Sequence, residues 1–149
     1  MEAILKDAEA LYQLLTQLRQ AGLDALPSEL TQLSPPLITL LEQVANHPGS
    51  TIMDLAERVG RSAPTISIAI RHLEEAGYVT RHPHPKDKRS VQIFLTPKGE
   101  SLHVKVQTAR RATFARLLSG LSSSERETLL SFLKKAIATL KNSPLENAR

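Results

Sequence analysis

No cysteine and no tryptophan occur in the 149 residues, and the only aromatic side chains are two Tyr and three Phe. The missing thiols exclude disulfides, thiolate zinc sites and cysteine-based redox sensing. Long apolar runs are missing too: nothing approaches the about 18 consecutive apolar residues that would cross a membrane. The opening MEAILKDAEALYQLL places Glu2, Asp7 and Glu9 where a secretory leader carries positive charge ahead of an apolar core. Together these absences predict a cytoplasmic chain with no membrane partner.

The short signatures of catalysis are also absent. There is no Gly-rich phosphate loop, HExxH, GxSxG or cysteine nucleophile, and Ser, His and Asp follow no spacing that forces them together. Neither an enzyme nor a cofactor is expected. Of the five histidines, His47, His72, His82, His84 and His103, no pair shows strong metal-ligand spacing backed by carboxylates, so no metal is expected either.

What is present is a chain 41% hydrophobic and long enough for a real core, so residues 1–149 read as a single domain. The net charge of +4 is unevenly spread. Residues 1–60 hold three Lys or Arg against eight Asp or Glu, whereas residues 61–116 hold eleven against four. A basic middle behind an acidic start is the one-dimensional outline of a phosphate-binding face.

Ile4, Leu5, Ala8, Leu11, Leu14, Leu15 and Leu18 recur at helical spacing and predict an amphipathic first helix ending near Gln20-Ala21-Gly22. A connector with Pro27 follows. Ser34-Pro35-Pro36 predicts a second helix, with serine as its cap and Leu37, Leu40, Leu41 and Val44 as its buried stripe. Thr51 and Asp54 have capping-box spacing and open a short third helix that runs to Gly60. Ser62 caps a fourth, with Pro64 in its first turn and Gly77 at its end. The link Gly60-Arg61-Ser62 has the length of a helix-turn-helix turn.

After Gly77 the period changes. Tyr78-Val79-Thr80-Arg81 and Val91-Gln92-Ile93-Phe94-Leu95 read as the strands of a hairpin with a long polar tip. Thr96-Pro97 opens a long helix carrying Leu102, Val106, Ala109, Phe114 and Leu117. A last helix starts at Ser122 with a capping box to Glu125, and buries Leu129, Leu130, Phe132, Leu133, Ile137 and Leu140 until Asn142-Ser143-Pro144. The fold class is mainly α with a small β-hairpin (α+β).

Two surfaces then point to double-stranded DNA. On a wheel of roughly 100° per residue, Ile66, Ala69, Ile70 and Leu73 share the packed side of the fourth helix. Pro64, Thr65, Ser67, Ile68, Arg71, His72 and Glu75 face the other way. Short hydroxyl side chains let a helix seat deep in the major groove, where Thr65 and Ser67 can bond base edges or phosphates, Arg71 can reach guanine, and Ile68 can lie on a thymine methyl. The hairpin tip concentrates Arg81, Lys86, Lys88 and Arg89 with His82 and His84 in ten residues, suited to the negative potential of the minor groove. Asp87 is expected to hold Arg89 or a nearby cation in one rotamer.

Leu33-Ser34, Leu55-Ala56, Ser62-Ala-Pro-Thr-Ile-Ser67, Leu73-Glu-Glu-Ala-Gly-Tyr-Val-Thr-Arg81, Asp87-Lys-Arg89 and Leu95-Thr-Pro-Lys-Gly99 follow one another in the order and spacing of the MarR family of winged helix-turn-helix regulators. The chain resembles that family over residues 33–99 by motif, and elsewhere by helix layout. The resemblance implies a DNA-binding lobe over 33–99, its recognition helix 63–76 in the major groove and its wing 79–95 in the minor groove. Residues 1–22 and 100–142 would then form a helical dimerisation region. It also implies a homodimer on a palindromic operator, a transcriptional repressor relieved by a small aromatic or anionic effector. Thr65, Ser67 and Arg71 would lie in the major groove, with Ser62, Pro64, Ile68 and His72 beside them, and Arg81, Lys86, Asp87, Lys88 and Arg89 would belong to the wing contact.

Many members carry arginine where this chain has Ile68, so base preference does not transfer. Tyr12, Tyr78, Phe94, Phe114 and Phe132 are expected in the core rather than in a ligand cage. The alternative is a winged-helix module that binds other proteins, against which the cations of the tip weigh, since such a wing needs apolar anchors.

Overall fold

A computed structural model of the chain describes residues 1–142. In chain order it contains α1 (Glu2–Gln20), a 3-10 turn (Ser28–Leu30), α2 (Pro35–Asn46), α3 (Ile52–Val59), α4 (Ala63–Glu75), β1 (Val79–Pro83), β2 (Val91–Leu95), α5 (Pro97–Leu118) and α6 (Ser123–Asn142). The backbone divides into two compact units, Met1–Arg110 and Arg111 onward.

The first unit is built around apolar side chains from α2, α3, α4 and the hairpin. Leu40, Leu41, Val44, Leu55, Ile66, Ile70, Leu73, Val79 and Ile93 form one cluster. Each such side chain taken fully out of water stabilises the fold by roughly 1.5–3 kcal/mol. A smaller cluster joins Leu30 of the 3-10 turn to Ile38 of α2 and Val106 of α5. Arg110 of α5 also pairs with Glu42 of α2.

Helix ends follow the local chemistry. Thr51 and Asp54 exchange both bonds of a capping box at the start of α3. Gly60 closes that helix at φ +71, a left-handed position that glycine takes without penalty. Ser62 then receives the Thr65 backbone N–H at 3.3 Å and starts α4. The α3–α4 turn is therefore short and fixed at both ends.

β1 and β2 pair antiparallel, with Val79 opposite Leu95 and Arg81 opposite Ile93. The free edge of β2 is met by the α2–α3 link: Gly49 donates to the Ile93 carbonyl, and Ile93 donates to the Ser50 carbonyl, each at 2.9 Å. These bonds fasten the base of the hairpin to the helix-turn-helix.

Most expected elements stand where the sequence places them, including the capping box between Ser122 and Glu125 that starts α6. Several expectations are corrected. Ser34 occupies the cap position of α2, but its side chain makes no capping bond. The 3-10 turn after Pro27 was not foreseen, and β1 runs to Pro83, beyond Arg81. Leu37 is only partly buried, and Ile38 takes its place in the core.

On α6 the residues expected to be buried, Leu129, Leu130, Phe132, Leu133, Ile137 and Leu140, are all exposed in the single chain, and the helix buries none of its residues. Tyr12 and Phe132 are each 66% exposed and Phe114 44%, so three of the aromatics lie outside the core of this chain. Helical periodicity shows that a face is apolar without showing what covers it. The expected end of α6 at Ser143-Pro144 falls outside the described residues.

Candidate nucleic-acid interface

α4 presents the two faces that its sequence requires. Ile66, Ile70 and Leu73 are buried, whereas Pro64, Thr65, Ile68, Arg71, His72 and Glu75 are exposed. Ser67 is partly exposed at the border between them. Ile68 keeps 51% of its surface in solvent although every aliphatic position on the other face is covered. At the start of the helix the hydroxyls of Ser62 and Thr65 lie 2.8 Å apart, so both are oriented before any ligand arrives.

The hairpin tip brings Lys86, Asp87, Lys88 and Arg89 together as exposed residues. Asp87 does not act as the sequence suggested. Its carboxylate accepts the backbone N–H of Arg89 at 3.0 Å, so it shapes the turn and leaves the guanidinium out of that bond. Arg81, at the base of the wing, faces the carboxylate of Glu74 on α4 at 3.3 Å. That pair links the helix to the arm and sets Arg81 apart from the three cations of the tip.

The sequence reading missed two contributors. The His84 ring nitrogen Nδ1 accepts the backbone N–H of Lys86 at 3.1 Å and of Asp87 at 3.2 Å. An Asn or Asp at this position would have signalled such a turn; a histidine gives no such signal. Lys98 donates from Nζ to the carbonyl of Ala76 at 2.6 Å and lies 4.6 Å from the centre of the Tyr78 ring. It therefore joins the end of α4 to the start of α5.

Among the remaining features, Asp54 has its carboxyl held below the usual carboxylate range. The Thr51 backbone N–H is the main cause, the Thr51 side chain adds to it, burial opposes it, and Arg58 and His84 contribute further. A cleft of about 240 Å³ is lined by Glu29, Gln32, Tyr78, Lys98, Ser101 and Lys105, among others. Among the described residues no group of three or more His, Cys, Asp or Glu side chains could hold a metal ion, and no helix is long and apolar enough to cross a membrane.

The model of the MarR family matches residues 33–91, the span from the start of α2 to the start of β2. The chain is similar to the HTH-type transcriptional regulator Mb0904 of Mycobacterium bovis, with 35% identity over 118 residues that cover 79% of each protein. Among solved structures, a mutant of MepR from S. aureus superposes with a TM-score of 0.73 at 25% identity, covering 89% of this chain and 97% of that one. FabT of Streptococcus pneumoniae, solved in complex with DNA, has the same fold, with a TM-score of 0.72 at 18% identity over 95% of this chain and 97% of its own. A family model lying over the helix-turn-helix and wing, and a relative 35% identical across most of both chains, place this chain in the MarR family of winged-helix transcriptional regulators.

Proposed function

We propose that the chain regulates transcription by binding a palindromic operator as a homodimer, with α4 in the major groove and the hairpin tip in the minor groove. The observation that carries this reading is the exposed face of α4, with Thr65, Ile68 and Arg71 in solvent while the opposite face is packed. Thr65 and Ser67 have the reach for base edges or phosphates, Arg71 for guanine, and Ile68 for a thymine methyl. Ser62, Pro64 and His72 flank them. Lys86, Lys88 and Arg89 supply the sequence-independent term by displacing counterions from phosphates, with Asp87 holding their turn. Arg81 contributes at the base of the arm.

A second copy of the chain accounts for the apolar surface on α1 and α6, which no single chain would leave in water. In this layout residues 33–99 form the DNA-binding lobe, and residues 1–22 and 100–142 the dimerisation region. Two recognition helices related by a two-fold axis would read half-sites about 34–36 Å apart. The cleft beside Lys98 and Lys105 suits a small aromatic or anionic effector, and release of DNA on its binding would make the protein a repressor. No role in this scheme needs catalysis, and a regulator of this kind works in the cytoplasm.

Selection of bound sequences from a random duplex pool, followed by gel shift across a salt series, tests the reading. The expected result is an enriched inverted repeat whose affinity falls at least about ten-fold between low and physiological salt. An unenriched pool, or affinity that ignores salt, would leave the protein-binding alternative standing.

A further inference from the structure

We propose that His84 is a positioning residue for DNA binding, acting through the wing turn rather than by touching the duplex. This rests on the reading that the wing meets DNA. The exposed cations Lys86, Lys88 and Arg89 sit on a loop with no apolar anchor of its own, and such a loop would ordinarily sample many conformations. Here five of its backbone donors are taken up. The Nδ1 atom of His84 accepts from the Lys86 and Asp87 amides at 3.1 and 3.2 Å. The Arg89 amide goes to the Asp87 carboxylate at 3.0 Å. The Ser90 amide goes to the Asp87 carbonyl, and the His84 amide to the Ser90 carbonyl, both at 3.1 Å.

His84 thus stands at the centre of the turn, bonded through its ring on one side and its backbone on the other. Its neighbours favour the arrangement. Pro83 and Pro85 restrict the backbone on either side, and the residue before a proline is driven towards extended conformations. Pro85 has no N–H, so Lys86 and Asp87 provide the first amides that the ring can collect. To accept both, Nδ1 must keep its lone pair free, which places the ring proton on Nε2. The side chain does here what an Asn or Asp oxygen does in an Asx turn. Because the turn exists before DNA arrives, its ordering cost does not fall on the binding step.

The test compares His84→Ala, His84→Asn and Arg89→Ala on a random-sequence duplex over a salt series, together with amide exchange at Lys86 and Asp87. Asn retains an acceptor near the position of Nδ1 and carries no charge. His84→Ala is expected to weaken binding about ten-fold through lost preorganisation while keeping the wild-type salt slope, because the same cations meet phosphate once bound. It should speed exchange at both amides without moving the thermal midpoint. His84→Asn is expected to restore affinity and protection.

Wild-type affinity in His84→Ala would overturn the proposal. So would His84→Asn behaving like His84→Ala in binding, because the ring would then be acting by its own contact or charge. If Arg89→Ala leaves the slope unchanged, the wing does not meet phosphates, and the proposal falls together with the reading beneath it. If Arg89→Ala lowers the slope and His84→Ala either keeps full affinity or lowers the slope as a lost cation would, this proposal alone fails.

Discussion

A side-chain carbon added to Gly99 would lie 2.0 Å from the carbonyl oxygen of Tyr78, so the first turn of α5 packs directly on the backbone that leaves α4. The surrounding bonds show why the approach is so close. Thr96 donates its amide to Tyr78 at 3.0 Å and its hydroxyl to Gly77 at 2.5 Å, while Lys98 reaches Ala76. Three successive carbonyls at the end of α4 are thereby satisfied by the sequence Thr-Pro-Lys-Gly. The neighbour at Gly99 is main chain and cannot rotate away. Gly99→Ala is therefore expected to cost at least about 1–3 kcal/mol. At roughly 2–4 °C per kcal/mol for a chain of this size, thermal denaturation reads the loss directly. An unchanged midpoint would mean that α5 and the end of α4 are free to move apart.

Specificity and affinity separate by surface. Thr65→Ala and Arg71→Ala are expected to cost about 1–3 kcal/mol on the selected operator and to relax the preference at individual positions. Arg89→Ala removes a cation of the tip, so it is expected to weaken binding to every sequence alike and to reduce the salt slope by about 1. Equilibrium binding to the operator and to a scrambled duplex, each at several salt concentrations, distinguishes the two patterns. Equal, sequence-blind losses from all three variants would place the recognition helix elsewhere.

Much of the lobe was legible in the sequence because its signals are local. The capping Ser62 with Pro64 in the first turn, the Thr51 and Asp54 pair, Gly60 and Gly77 each fix a helix end within a few residues. The exposed side of α4 followed from period alone. The wing was harder. A cluster of cations is visible in composition, but its shape depends on His84 Nδ1 and the Asp87 carboxylate accepting particular amides. Nothing in residue type distinguishes an Asp that turns a loop from one that pairs with arginine. What covers α6 was hidden for a different reason. The same apolar spacing arises whether a helix packs on its own chain or on another, so period shows the apolar face and not its partner.

Acid should loosen the start of α3 before the rest of the lobe. Asp54 is stabilised in its charged form, chiefly by the Thr51 amide, so its carboxyl lies lower in the folded protein than in the unfolded chain. A lowered carboxyl contributes stability above its unfolded value, about 3.9, and that contribution is lost as pH falls through the folded one. Asp54→Ala, which removes both the cap and the titrating group, is expected to lower the thermal midpoint by about 2–4 °C at pH 6, given about 1 kcal/mol for a cap. The gap should narrow below about pH 3.9, as wild type loses its own advantage. A gap that stays constant down to strong acid would show that the charge of Asp54 does no work in the cap.

The exposed apolar face of α6 makes the last prediction. Phe132, Ile137 and Leu140 are at least half exposed and belong to a helix that buries nothing in its own chain. Transfer of such side chains out of water is worth roughly 1.5–3 kcal/mol each, enough for a few of them on two helices to hold a dimer together. A charge placed among them has to be desolvated on association, which removes that gain and adds a penalty of several kcal/mol. Phe132→Asp is therefore expected to convert a dimer to a monomer in sedimentation velocity while helical content is retained. Affinity for a two-half-site operator should fall by about a hundred-fold or more, because each half-site then has to bind alone. Binding to a single half-site should change little, since the α4 face is untouched. A wild-type chain that sediments as a monomer, or a Phe132→Asp variant that keeps both its dimer and its operator affinity, would show that this face has some other purpose.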